Sequence, residues 1–309
     1  MPRPPRLVVV GSSNTDMIVR APRLPRPGET VLGGQFAQAP GGKGANQAVA
    51  AARLGAQVTF IARVGTDSLG DRAAAGFDAE GIDTTSIIRD PDAPSGVALI
   101  GVDETTGENA ISVAPGANAR LSVADIEAAR APLQSADIVL CQLETPLPTV
   151  QAALALARAA HVPTLLNPAP AQALSQEMLA LVSFLTPNET EAAILSGRDT
   201  PADAAQALLA QGAGAVVVTL GGQGALLATG RGETQIIPGR SVSHVVDTTA
   251  AGDCFTAALA VALAEGEALP QAAAFAHAAA ALSVTQAGAQ PSLPSRADVM
   301  RFVANESAR

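Results

Sequence analysis

Short runs with almost no polar residues recur along the chain, at residues 7–10, 58–62, 138–140, 164–166 and 215–220. Strands that are apolar on both faces belong in a sheet covered by helices on both sides. Between these runs the apolar positions take up helical spacing, at residues 44–54, 68–80, 122–131, 147–160, 188–196 and 202–211. Two alanine-rich helical stretches follow, near 251–265 and 269–285. The βαβα rhythm predicts an α/β fold with a doubly wound, mostly parallel sheet and helices on both faces. Two segments break it. Residues 17–39 hold Pro22, Pro25 and Pro27 before an extended stretch near 30–36, and residues 95–102 and 110–114 read as a hairpin around Thr105-Thr106-Gly107-Glu108. Neither has a following helix to cover it. The expectation is one domain over residues 1–309, with a small β-sheet lid formed by about 15–40 and 95–115. An uncovered lid face invites pairing with a second copy, so a homodimer is expected.

Composition removes several function classes. With 309 residues, 48% apolar and 15% charged, the chain can bury a large core. A formal charge of −9 argues against binding nucleic acid by phosphate neutralisation, and the lack of Trp and Tyr argues against base stacking. No apolar stretch reaches the ~18 residues of a membrane span. The apolar run after the basic start ends at Gly11, too short for a signal-peptide core, so a cytoplasmic protein is expected. Cys141 and Cys254 lie far apart and form neither a metal cluster nor a disulfide framework. They read as buried thiols, with a reactive Cys254 the lesser alternative because it follows Asp253 directly. Of the 19 basic residues, one is lysine and the other 18 are arginine. That lysine, Lys43, stands in Gly41-Gly42-Lys43-Gly44. Either the placement is chance, or a compact ammonium is required where a planar guanidinium does not fit.

Three loops carry candidate chemistry. Pro40-Gly41-Gly42-Lys43-Gly44-Ala45-Asn46-Gln47 opens a helix, so its amides can face an anion or a hydroxyl. It is neither a Walker A loop nor a Rossmann fingerprint. Asp247-Thr248-Thr249-Ala250-Ala251-Gly252-Asp253 joins an extended segment, 241–246, to a helix. Its small residues let amides at the helix start stabilise developing negative charge beside Asp253, although an N-terminal Asp also reads as an ordinary cap. Thr186-Pro187-Asn188-Glu189-Thr190-Glu191 places Asn188 and Glu191 three apart on one helix face. The pair can hold hydrated Mg²⁺ near a polyphosphate, or simply cap the helix. Asn14, Asp16 and Glu144 follow strand ends, where α/β sheets place ligands. Side chains of this kind can pair with adjacent sugar hydroxyls.

These residues give the chain its resemblance to the ribokinase-like (PfkB) carbohydrate kinases, along nearly its whole length. The match runs through Gly11-Ser12-Ser13-Asn14-Thr15-Asp16, the 41–48 loop, Leu143-Glu144, Asn167-Pro168-Ala169-Pro170, Thr186-Pro187-Asn188-Glu189, Thr219-Leu220-Gly221, the 247–253 loop and Gly288-Ala289-Gln290-Pro291-Ser292. The resemblance implies ATP-dependent phosphorylation of D-ribose at its 5-hydroxyl. Asn14, Asp16, Gly42, Lys43, Asn46 and Glu144 would hold the sugar. Asp253 would be the base, Ala251 and Gly252 the anion hole, with Lys43 beside them. Asn188, Thr219, Gly221, Gly224, Gly252 and His277 would line the ATP site. Mg²⁺ would sit near Asn188 and Glu191, mostly through indirect contacts. An activating K⁺ would be held by Asp247, Thr249, Ser283, Gln286, Gly288 and Ser292, several through backbone carbonyls. The family also dimerises through its lids. Ala250 where much of the family has Gly, Gly222-Gln223 in place of Ser-Arg, and Thr256 in place of Asn are departures. The alternatives are a related kinase for deoxyribose, another small sugar or a nucleoside, and a non-catalytic sugar-binding protein on the same fold.

Overall fold

The computed structural model describes residues 3–230 and 232–307. Strand β1 (Arg6–Val10) shows how the core is divided. Leu7 and Val9 enter one apolar cluster, Val8 and Val10 the other, and all four are buried. The chain continues through β2 (Asn14–Ala21), β3 (Gln35–Gly41), α1 (Lys43–Arg53), β4 (Gln57–Gly65) and α2 (Ser68–Ala79). Next come β5 (Ile87–Asp90), β6 (Gly96–Asp103), β7 (Asn109–Ala114), α3 (Val123–Ala128), α4 (Arg130–Ser135) and β8 (Ile138–Cys141). Then follow α5 (Leu147–Ala159), β9 (Thr164–Leu166), α6 (Gln176–Leu179), β10 (Phe184–Leu185), α7 (Glu189–Ser196) and α8 (Pro201–Ala210). The chain closes with β11 (Ala215–Thr219), β12 (Gly224–Ala228), β13 (Thr234–Pro238), α9 (Ala251–Ala264), α10 (Leu269–Ser283) and α11 (Arg296–Ser307).

Nine strands form the main sheet in the order β13-β12-β11-β10-β9-β8-β1-β4-β5. The ladders from β11 across to β5 are all parallel, while β12 and β13 turn back antiparallel at one edge. Helices α1, α2, α9, α10 and α11 contribute to the cluster on one face, and α3 to α8 to that on the other. The expected doubly wound, mostly parallel fold is therefore present. Alanine makes it compact: α9 and α10 pack through Ala257, Ala258, Ala260, Ala272, Ala273 and Ala276, all fully buried. Small side chains let these helix backbones approach closely while still filling the interior.

A separate four-stranded sheet has the order β3-β2-β6-β7. Its register places Asp16, Ala98, Val113 and Ala39 in one row, with Ile18, Ile100, Ile111 and Ala37 in the next row on the same face. Val19, Phe36 and Leu99 lie on the opposite face. Phe36 is 63% exposed and Ile111 56%, so both faces of this sheet present apolar side chains to solvent.

Four local expectations are corrected. The helix expected over 122–131 is broken at Ala129, whose backbone (φ −93°, ψ 20°) separates α3 from α4. Residues 241–246 form no strand; the extended edge is instead the hairpin β12–β13. In the segment near 30–36, pairing begins only at Gln35. The helical pattern near 269–285 ends at Ser283, where α10 stops.

Candidate active site

The loop before α1 is built by close approach. Gly42 has φ +91°, and a Cβ there would stand 2.7 Å from the Asn14 nitrogen. A Cβ on Gly44 would stand 2.6 Å from the Ser12 nitrogen. Only glycine lets the start of α1 lie directly on the β1–β2 connection. That contact sets Lys43 beside Glu144, whose Oε2 accepts from the Lys43 backbone N–H at 3.0 Å and from Ser12 Oγ at 2.5 Å.

The second loop ends at Ala250, a non-glycine residue in the left-handed region (φ 61°, ψ 9°) that caps α9 without a side-chain bond. Such a conformation persists only when its surroundings impose it, and it turns the helix start inward. The Ala251 N–H donates to the Thr248 carbonyl at 3.2 Å. The next amides, those of Gly252 and Asp253, are the ones the helix leaves without acceptors. Asp253 follows in the first turn and is only 5% exposed. Its Oδ1 accepts from Gln47 Nε2 at 2.8 Å and its Oδ2 from Asn46 Nδ2 at 2.9 Å. Burial pushes its carboxyl above the ordinary value, against the opposing pull of Lys43, Asn46 and Gln47. Burial works against the charge of Lys43 too. Asp253, Glu144 and Glu191 outweigh it and hold the ammonium above its usual value.

Lys43 and Asp253 line one cavity of about 220 Å³, together with Asn188, Glu191, Thr219 and Gly252. Of the remaining sugar-side residues, Asn46 adjoins it through Asp253 and Glu144 through the Lys43 backbone, while Asn14 and Asp16 share one face of β2 and Asn14 lines a separate cavity of about 440 Å³. Asn46 Oδ1 is buried without a protein donor. Burial, then Glu144 and Asp253, push the Asp16 carboxyl up to about 6. Asn14 is held by a residue that the motifs did not single out. Asn118, 1% exposed, donates from Nδ2 to Asn14 Oδ1 at 2.8 Å and to the Ser13 carbonyl at 3.1 Å, and accepts from the Ser13 N–H at 2.9 Å.

On the far wall, Asn188 caps α7 in a reciprocal pair with Glu191. The Glu191 N–H donates to Asn188 Oδ1 at 2.8 Å, and the Asn188 N–H donates to Glu191 Oε2 at 2.9 Å. Both readings of these residues therefore coexist, since the capping pair also lines the cavity. Glu191 Oε1 takes no part in the cap. Burial raises the Glu191 carboxyl, with the hydrogen bond from Asn188 and the charge of Lys43 opposing. His277 is not on the cavity wall. It props the turn between β11 and β12: the Arg240 N–H donates to Nδ1 at 3.1 Å, so Nε2 carries the proton and donates to the Gly221 carbonyl at 3.1 Å.

Asp247 ties the α9 loop to the segment after α10. Its Oδ1 accepts from the Thr249 N–H and Oγ1 at 2.9 and 2.6 Å, and its Oδ2 from the Gly288 N–H at 2.8 Å. Burial opposes ionisation here, but these bonds outweigh it and hold the carboxyl below its usual value. Ser283 and Ser292 donate their hydroxyls to the carbonyls of Ala280 and Ala289. Cys254 and Cys141 are fully buried, and burial pushes both thiols up to about 12, which argues against the reactive reading of Cys254.

A buried carboxylate, an ammonium and unpaired helix-start amides around one small cavity define a phosphotransferase that activates a hydroxyl acceptor. The chain belongs to the pfkB family of carbohydrate kinases, whose pattern matches residues 4–296. It is 44% identical to the ribokinase of Haemophilus influenzae, over 96% of this chain and 98% of that one. It is 42% identical to the ribokinase of Bacillus subtilis, over 95% and 97% of the two chains. The structure of Arabidopsis thaliana ribokinase complexed with ribose and ATP superimposes with a TM-score of 0.88, at 34% identity, over 97% of this chain and 99% of that one.

Proposed function

We propose that the chain transfers the γ-phosphoryl group of ATP to the 5-hydroxyl of D-ribose, giving ribose 5-phosphate and ADP. The observation that carries this reading is the convergence of Lys43 and Asp253 on one cavity. Asn14, Asp16, Gly42, Lys43, Asn46 and Glu144 hold the sugar. The open acceptor of Asn46 receives a hydroxyl proton that no protein group supplies. Asp253 takes the proton of the attacking 5-hydroxyl. Because phosphoryl transfer is loose, positioning and charge stabilisation do most of the work. Lys43 and the N–H groups of Gly252 and Asp253 offset the charge gathering on the phosphoryl oxygens. Ala251 contributes less than the motif implies, because its amide already serves Thr248. Asn188, Thr219, Gly221, Gly224 and Gly252 receive the nucleotide, with His277 as a prop behind the turn.

The donor set fits both expected cations. Mg²⁺ would neutralise the polyphosphate, approached through water by Asn188 and by the uncapped Oε1 of Glu191. K⁺ suits the oxygen-only bend at Asp247, Thr249, Ser283, Gln286, Gly288 and Ser292, where Asp247 is the one carboxylate. Among the described residues no group of three or more His, Cys, Asp or Glu side chains gathers as a metal cluster. Exposed Phe36, Leu99, Ile111 and Val113 support a homodimer formed through the four-stranded sheet, acting as a lid. No helix among the described residues is long and apolar enough to cross a membrane. A cytoplasmic setting supplies ATP and is compatible with two free buried thiols.

A coupled ADP-release assay over ribose, 2-deoxyribose, fructose and a nucleoside, with and without K⁺, tests this reading. Ribose-dependent turnover that K⁺ increases is expected. Preference for 2-deoxyribose would transfer the chain to the runner-up, and sugar binding without any ADP release would make it a non-catalytic binder.

A further inference from the structure

We propose that Gln47 is a positioning residue for Asp253: held by Gln142 and Asn167, it fixes the orientation in which the carboxylate meets the acceptor hydroxyl. The proposal rests on Asp253 being the base. It concerns side chains that the proposed sugar and nucleotide contacts leave without a role.

The chain of bonds has a direction. Asn167 Nδ2 donates to the Thr186 carbonyl at 2.9 Å, which turns Asn167 Oδ1 toward Gln47. Gln47 Nε2 donates to that oxygen at 3.1 Å and to Asp253 Oδ1 at 2.8 Å. Gln47 Oε1 accepts from Gln142 Nε2 at 2.5 Å. A flip of the Gln47 amide would set its oxygen against two acceptors and its nitrogen against a donor. Gln47 and Gln142 are fully buried, so water is poorly placed to repair a mismatch between them. Gln47 is thereby locked by its neighbours, while Gln142 is oriented through Nε2 alone, its Oε1 being buried without a protein partner. Asp253 Oδ1 and Oδ2 each carry one amide bond, from Gln47 and Asn46, which fixes the plane of the carboxylate while each oxygen keeps acceptor capacity for an incoming O–H.

The charges around Asp253 make this arrangement necessary. Lys43 on α1 is the cation that faces it, whereas Glu144 after β8, Asp16 on β2 and Glu191 on α7 are all acidic. Three carboxylates against one ammonium, in a buried site, favour a protonated and unusable base. The amide donors from Gln47 and Asn46 oppose that tendency.

The test replaces the donor with an acceptor of the same shape. Gln47→Glu should raise the titration midpoint of Asp253 by ~1 unit or more, since two carboxylates sharing a site resist double ionisation. The midpoint is read by ¹³C NMR of protein labelled at aspartate carboxyls, with the Asp253 signal assigned by its loss in Asp253→Asn. The acid limb of kcat/KM should move up in parallel, with KM for ATP unchanged. A folded Gln47→Glu chain whose Asp253 titrates as before, with an unmoved acid limb, overturns the proposal. Should that variant fail to fold, Gln142→Met decides. It removes the donor that faces Gln47 Oε1 and leaves that buried oxygen without a partner, loosening the side chain, so kcat should fall several-fold at unchanged KM for ATP; an unchanged kcat overturns the proposal. The NMR titration needs no substrate. A shifted midpoint in a chain that phosphorylates no sugar therefore supports the positioning role while sinking the proposed function.

Discussion

The two ends of the cavity are made from different materials. Toward β2, polar side chains lie buried in a fixed lattice: Asn118 holds Asn14, Ser12 holds Glu144, and Asn46 and Gln47 hold Asp253. Toward β11, the cavity is bounded by Thr219, the capped start of α7 and the open start of α9, with the Gly221 turn, propped by His277, just beyond Thr219. Side chains with preset partners reject a ligand that leaves one of them unpaired, whereas backbone amides accept any phosphate of the right shape. On this division, Gly222-Gln223 in place of the Ser-Arg that the resemblance leads one to expect should cost the turn little. A turn that works through its backbone depends little on which side chains it carries.

The largest blow to the side-chain end is loss of the base. Asp253→Asn should lower kcat by at least ~10²-fold in a protein that still folds, measured by ADP release and circular dichroism. Near-normal kcat would remove Asp253 from its role. Lys43→Arg keeps the charge but not the compact shape, and turnover should fall on the order of tenfold; full activity would make the lone lysine incidental.

Acidity should separate the two ends next. Asp16 must be ionised to accept sugar hydroxyls, and in the free protein it titrates at about 6. As pH falls below that value, kcat/KM for ribose should drop up to tenfold per unit, while KM for ATP stays level. Stability should run the other way. An acid whose folded pKa lies above its unfolded value binds extra protons in the folded state, so lowering pH from about 6 toward 4 stabilises the unliganded fold. A thermal melt series would show it.

Asn118→Ala should raise KM for ribose about tenfold, the effect of about 1–2 kcal/mol from an orphaned buried amide, without touching KM for ATP. His277→Leu should be the mildest change. Losing a prop worth about 1 kcal/mol should raise KM for ATP several-fold and leave KM for ribose alone. If both variants shift both constants equally, the division between the two ends fails.

Much of the architecture could be read from runs of residues that meet only other apolar groups. The strands β1, β4, β8, β9 and β11 announce themselves because both their faces are covered. Strand β10 has two residues and carries too little pattern to register. The hairpin β12–β13 hides behind a glycine-rich turn that reads as a loop, and Gly224 pairs as the first residue of its strand. Within the site, Lys43, Asp253, Asn188 and Glu191 were legible because each sits at a helix start among glycines, small residues or a cap. Gln47, Gln142 and Asn118 were not given roles, since a lone amide has no spacing signature. Gln142 did leave a trace: it is a polar residue inside the apolar stretch 138–143, at a strand's carboxyl end.

One lysine in 309 residues has a practical side. The ε-amine of Lys43 is the single side-chain target for amine-directed reagents, and it lies on the cavity wall. Acylation of that nitrogen becomes a direct gauge of whether the cleft is occupied. A protease that cuts after lysine has one bond to attack, inside the first turn of α1. The native protein guards it, and its cleavage would count the molecules that have opened.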